Sequence, residues 1–190
     1  MLDQRFKMVQ KQNTERSVVP IAVVGLIGIG WLALIARPTK LPAAETQLAV
    51  EEDDQVITVR RGGNLVLVYN KVSPAVPPQL DPVYERSGFL HPVRSPNGKV
   101  VTGMFPSDHP HQQGVFSAWV KTRWQDREID FWNLPRGTGR VLHHRVVSTF
   151  GDQDGAGFEV ELLHRALHAP QTDVLRETWK VTVRPSEEDV

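Results

Sequence analysis

VLHHRVVSTFGDQDGAGFEVELLHRALHAPQTDVLRETWKVTV, residues 141–183, is the stretch whose reading decides the fold. It holds three runs rich in β-branched and apolar residues: Val141 to Phe150, Phe158 to Leu167 and Leu175 to Val183. Gly151-Asp152-Gln153-Asp154-Gly155-Ala156-Gly157 separates the first two, and Ala169 to Asp173 separates the last two. Gly and Asp clusters supply the backbone conformations that tight turns require, so the pattern predicts an antiparallel three-stranded meander. Side chains alternate across a strand, so the adjacent His143 and His144 are expected on opposite faces of this sheet.

Working outward, the same chemistry recurs upstream. Gln55 to Arg60 and Leu65 to Tyr69 flank Arg61-Gly62-Gly63-Asn64 and predict a hairpin. Pro74, Pro77, Pro78 and Pro82 remove ladder donors, so Ser73 to Pro82 reads as a loop, with strands resuming near Tyr84. Phe89 to Val93 and Lys99 to Thr102 flank Ser95-Pro96-Asn97-Gly98 and predict a second hairpin. Gly114 to Lys121 is expected as a central strand, and Ile129 to Trp132 as a short one. No 12-residue stretch past residue 55 carries a 3.6-residue apolar period. The expected fold is therefore all-β, an antiparallel sandwich or open barrel of about eight to ten strands, spanning residues 55–185.

The N-terminal part differs in kind. Val18 to Ala36 carries no charge, and its 19 residues (18 through 36) suffice to cross a hydrocarbon core of about 30 Å as a helix. Arg5, Lys7, Lys11 and Arg16 precede it, so residues 1–17 are expected in the cytoplasm and the domain outside. The expected location is the cell membrane, single-pass with the domain periplasmic, or secreted if the segment is removed near Pro42-Ala43-Ala44. Residues 37–54, ending in Glu51-Glu52-Asp53-Asp54, read as a linker. Across the 190 residues, Lys plus Arg and Asp plus Glu number 22 each, so no global field favours nucleic acid as a partner. The absence of cysteine excludes disulfides, thiolate metal sites and cysteine nucleophiles.

Site chemistry concentrates in Asp108-His109-Pro110-His111-Gln112-Gln113-Gly114. An imidazole can ligate a metal or move a proton near neutral pH, and a carboxylate beside it can orient it. Gly103 begins a cupin-like spacing toward His109 and His111, but the glutamate that should follow is replaced by Val115 and Phe116. A second cupin-like element at Pro135 and Gly137 has Arg140 in its histidine position. The spacing fixes no metal site. Asp126, Glu128 and Asp130 alternate beside Trp124 and Trp132, and indole faces with carboxylates suit sugars.

Together, Tyr84, Phe89-Leu90-His91-Pro92-Val93, Ser95 to Thr102, Phe105-Pro106, Asp108-His109-Pro110-His111 with Gly114, Ile129 to Trp132 and Gly139-Arg140-Val141 resemble the DUF6807 family, often labelled methane oxygenase PmoA. The resemblance covers roughly residues 55 to 185 and implies a galactose mutarotase-like β-sandwich, commonly exported. Relatives often read His-Pro-His-His-Arg-Gly where this chain has His109-Pro110-His111-Gln112-Gln113-Gly114. They also tend to continue beyond Val190, so the resemblance leaves open a fragment, a shortened relative, or one whose exposed sheet edges pair in a homo-oligomer. One apolar segment of spanning length is not the multi-span architecture of a methane monooxygenase subunit.

The expected function is carbohydrate or polyol handling by an exported, membrane-tethered domain. His109, His111 and Asp108 are the candidate acid–base groups. His91, Trp119, Trp124, Trp132 and Gln113 are the candidate substrate-binding residues. This reading needs no metal or cofactor. Its alternatives are a non-catalytic envelope binding or scaffold module and, further off, a metal-dependent oxygenase.

Overall fold

The structure is a computed structural model, and it describes residues 47–152 and 154–185. The apolar segment 18–36 and the linker up to residue 46 lie outside the described residues. Among the described residues, no helix is long and apolar enough to cross a membrane. The described fold is all-β and antiparallel, with nine strands and two single-turn 3₁₀ segments, Pro82–Tyr84 and Leu134–Arg136.

The predicted meander forms one sheet in the order β7 (Gly139–Asp152), β8 (Gly155–Ala166), β9 (Thr172–Val183). Its turns come from the expected residues: Asp152 Oδ1 accepts the backbone N–H groups of Asp154 (2.8 Å) and Gly155 (3.1 Å). The middle strand β8 is almost wholly buried. Phe158, Val160, Leu162 and His164 point into the core and are fully buried, and full burial of one such apolar side chain is worth about 1.5–3 kcal/mol. On the outer face, cross-strand pairs join Arg145 to Glu161 (2.8 Å) and Arg165 to Asp173 (2.6 Å). Alternation also separates the two histidines as expected: His143 meets the core residue Tyr69, whereas His144 lines a shallow groove on the outer face.

A second sheet runs β1 (Leu48–Glu52), β2 (Val56–Arg61), β3 (Asn64–Asn70), β4 (Phe89–Val93). The β2–β3 hairpin turns at Gly62 and Gly63, both at positive φ, as the sequence predicts. The two sheets contribute to one core: Ile57, Val59, Leu67 and Tyr69 from the second, and Val141, Phe158, Val160 and Leu162 from the meander. A small hairpin, β5 (Thr122–Trp124) and β6 (Arg127–Ile129), follows the His loop and adds Ile129 and Phe131 to that core.

Five expectations are corrected. The short strand expected from Ile129 to Trp132 instead runs Arg127–Ile129, because the Asp130 carboxylate takes the N–H groups of Trp132 and Asn133 and turns the chain. The stretch read as a linker already carries a strand, because the alternation of Leu48, Ala49 and Val50 lets β1 pair with β2 and bury Leu48. Tyr84 closes a 3₁₀ turn that Asp81 caps through Val83 N, so the next strand waits until Phe89. Lys99 to Thr102 adds only a bridge from Arg94 to Val100, because Ser95 and Gly98 spend their bonds on the tight turn itself. Gly114 to Lys121 is not a strand. It is bracketed by left-handed backbone at Gly114 (φ 59°) and Lys121 (φ 54°), and it meets β4 only where Leu90 and Val115 exchange backbone hydrogen bonds.

Candidate functional site

The His loop is held from both ends. Gly114 donates its N–H to Gly103 O (2.7 Å), and Met104 and Gln113 form an isolated bridge. A Cβ at position 114 would lie 2.0 Å from Leu90 O, so only glycine lets the loop lie against β4. Gln113 is fully buried and donates its amide to Tyr84 O at 2.6 Å. That position, expected to touch substrate, braces the loop from beneath. His91 is likewise engaged, its Nδ1 lying 2.9 Å from Thr102 Oγ1.

Above these braces, Asp108, His109 and His111 stay together. His109 Nδ1 lies 3.0 Å from Asp108 Oδ2, and that bond is the main reason the Asp108 carboxyl sits below its ordinary range. The rings of His109 and His111 meet edge to face at 5.8 Å between centroids. His111 in turn meets Trp132 edge to face at 6.3 Å, and Trp132 packs on Phe116 at 4.8 Å. Gln112, Gly114, Val115, Phe116 and Trp132 line an open groove of about 310 Å³ beside these rings. Burial first, then the charges of His109 and Arg86, depress the His111 pKa, and Asp130 opposes them. His111 is therefore neutral near pH 7 and able to accept a proton.

Behind the aromatic walls of the groove lies a cation that no motif announced. Arg86 is 2% exposed, and its guanidinium lies 4.0 Å over the Phe116 ring, with a long contact of 3.4 Å from Nη2 to Trp132 O. Among the described residues its Nε has no hydrogen-bond partner and no carboxylate pairs with it. Burial, with the nearby Arg140 adding repulsion, pushes its pKa down to about 10, so it remains charged at neutral pH. A desolvated unpaired ion costs several kcal/mol, and a desolvated cation–π contact returns only about 2. The internal contacts of Arg86 therefore leave part of its burial cost uncompensated.

The neighbouring Asp130 differs, because its partners account for it. Its carboxylate accepts Trp132 N and Asn133 N (2.9 Å each) and Asn133 Nδ2 (2.8 Å), with Arg136 Nε 3.4 Å away. Burial alone would raise its pKa, but these donors hold it below the ordinary range. Asp130 thus fixes the backbone that presents Trp132. Asp126 and Glu128 are exposed, and Trp119 and Trp124 stand 47% and 40% exposed and are not among the residues lining the groove. Of the expected binding aromatics, only Trp132 joins the histidines.

A second polar cluster lies inside the core. His164 Nε2 and Glu177 Oε2 are 2.9 Å apart, with His164 fully buried and its Nδ1 unpartnered among the described residues. The Phe131 ring meets the His164 ring edge to face at 5.0 Å. Tyr69 OH pairs with His143 Nδ1 at 3.0 Å, and burial pushes the His143 pKa down to about 4. Among the described residues, no three His, Asp or Glu side chains converge in the manner of a metal site.

Comparison with known proteins adds one match. No curated protein and no solved structure matches the chain. A family model described as "Family of unknown function (DUF6807)" matches residues 56–190, from β2 through the His loop and the meander. The chain belongs to the DUF6807 family.

Proposed function

We propose that the domain binds a carbohydrate or similar polyol in the groove walled by Phe116 and Trp132, with His111 and the Asp108–His109 pair as its acid–base groups. The observation that carries this reading is the contact of the His111 ring, 6.3 Å between centroids, with Trp132, which lines that groove. Indole and phenyl faces stack on the apolar C–H surface of a sugar ring, and imidazoles reach its hydroxyls. Neutral His111 takes the proton of the anomeric hydroxyl, and the Asp108–His109 pair supplies one to the ring oxygen as the bond from the anomeric carbon to that oxygen breaks. Such chemistry opens or epimerises a sugar without a redox step. The shared core of two antiparallel sheets supports, at a finer level, a mutarotase-like sandwich. The apolar segment 18–36 supports export and membrane tethering.

A second reading is a non-catalytic binding module, and one observation favours it. The side chains of Asp108 and His109 are 75% and 54% exposed, so water weakens the interaction that would tune them. Saturation-transfer NMR on the full-length chain with neutral hexoses and alditols, followed by exchange spectroscopy between anomers, separates the readings. Saturation transfer with accelerated anomer exchange that His111→Ala abolishes supports the enzyme. Saturation transfer without accelerated exchange in the unmodified protein supports the module. No saturation transfer from any polyol defeats both.

A further inference from the structure

We propose that the groove selects a polyol carrying a carboxylate, a sugar acid such as a uronate, with Arg86 as the residue that reads its charge. The inference rests on the polyol reading above and deepens it by naming the substrate class. Arg86 is 98% removed from solvent (2% exposed), it is charged at neutral pH, and it touches both aromatic walls of the groove: the Phe116 ring at 4.0 Å and the Trp132 carbonyl at 3.4 Å. Its Nε is unpartnered among the described residues. Arg140 stands behind it with its own Nε unpartnered, donating Nη2 to Val83 O (3.3 Å) and reaching Glu85 at 3.8 Å.

Asp130, whose charge acts on His111, does not neutralise Arg86. Asp130 is spent on Trp132 N, Asn133 and Arg136. A positive charge in low dielectric therefore lies directly behind the walls of the groove, where an anion gains far more than it would at the surface. A planar carboxylate matches the planar guanidinium fork, and a single buried guanidinium balances one negative charge better than two. His111, kept uncharged by its surroundings, leaves the selection to Arg86. A ligand bearing its carboxylate at one end and its ring against Trp132 would place its hydroxyls toward His111.

The test is isothermal titration of the full-length chain with D-glucose, D-glucuronate and glucose 6-phosphate, repeated at raised ionic strength. The expected result is glucuronate binding at least tenfold tighter than glucose, and tighter than glucose 6-phosphate. Arg86→Gln should remove that preference, so that glucuronate binds no tighter than glucose. Because Arg86 is buried, Arg86→Gln is read only if its thermal transition remains cooperative. The ligand series on the unmodified protein decides the matter in either case. Equal affinity for glucose and glucuronate overturns the carboxylate assignment and leaves the polyol reading standing. Tighter binding of glucose 6-phosphate replaces carboxylate by phosphate. Absence of binding by all three overturns the inference together with the reading on which it rests.

Discussion

Truncating Glu177 to alanine tests the inner polar cluster, because it removes one carboxylate on which three donors converge. His164 Nε2 lies 2.9 Å away, and the Trp179 indole and the Ser117 hydroxyl also bond to it. His164 is fully buried and its Nδ1 is already unpartnered, so losing Glu177 strands a ring with no polar contact among the described residues. A stranded buried group costs about 1–3 kcal/mol, and the half-buried Trp179 adds part of another, whereas Ser117 can turn to water. The expected loss is about 3 kcal/mol, or roughly 6–12 °C in Tm at this chain length. Glu177→Gln keeps an acceptor and should cost about 1 kcal/mol. The pH dependence has a definite sign. Burial pushes the Glu177 carboxyl up, but the bonds from His164, Trp179 and Ser117 more than offset it, so the folded pKa lies below the ordinary 4.5. Its stabilisation is present above pH 4.5 and is lost as pH falls through the folded value. Urea unfolding of the two variants, with unchanged m-values, measures both effects. A Glu177→Ala midpoint equivalent to less than 0.5 kcal/mol of loss, in the range of ordinary surface substitutions of about ±0.5, would refute the account of this cluster.

The remaining predictions concern other positions. His143, with its pKa pushed down to about 4 by burial, disfavours protonation in the folded state, so stability present above pH 6.5 should decline toward pH 4. The decline between pH 7 and 5 should be about 1 kcal/mol after discounting for its half-exposed ring, and His143→Gln should flatten it in urea titrations at several pH values. Gly157→Ala would place a Cβ 1.9 Å from Val181 O and 2.9 Å from the Phe150 ring, within a central strand whose partner backbone cannot yield. It should cost about 3 kcal/mol or abolish cooperative unfolding by circular dichroism. Trp132→Ala should weaken polyol binding at least tenfold in titration calorimetry, whereas Trp124→Ala, at an exposed site not among the residues lining the groove, should leave it unchanged.

Much of the fold was legible because it rests on local chemistry. The Gly62–Gly63 turn, the proline loop after Ser73 and the meander from Val141 to Val183 each combine a strand-length apolar pattern with residues that dictate a turn. Gly114 to Lys121 misled for the converse reason: its composition suits a strand, but left-handed residues at both ends and a single rung on β4 are tertiary outcomes. The cluster Asp108, His109, His111 and Trp132 was readable as chemistry, and the fold brings those four together. Gln113 and His91 were readable only as polar groups, and whether such a group faces a ligand or a backbone carbonyl depends on burial. Arg86 left no trace, because a lone arginine in a loop has no periodicity and no motif. The His164–Glu177 pair hides for another reason: its members sit on different strands, and only the β8–β9 register puts them on one face.

The central claim is that ligand binds in the groove walled by Phe116 and Trp132, next to His111. Imidazole NMR chemical shifts of the seven histidines during polyol titration test it most directly, because those rings are spread over distinct parts of the fold. The account predicts that His109 and His111 resonances move together with ligand concentration, while those of His144 on the outer sheet face and His164 in the core stay fixed. Shifts at His144 with His111 unmoved would place binding on the outer face of the meander and contradict the claim.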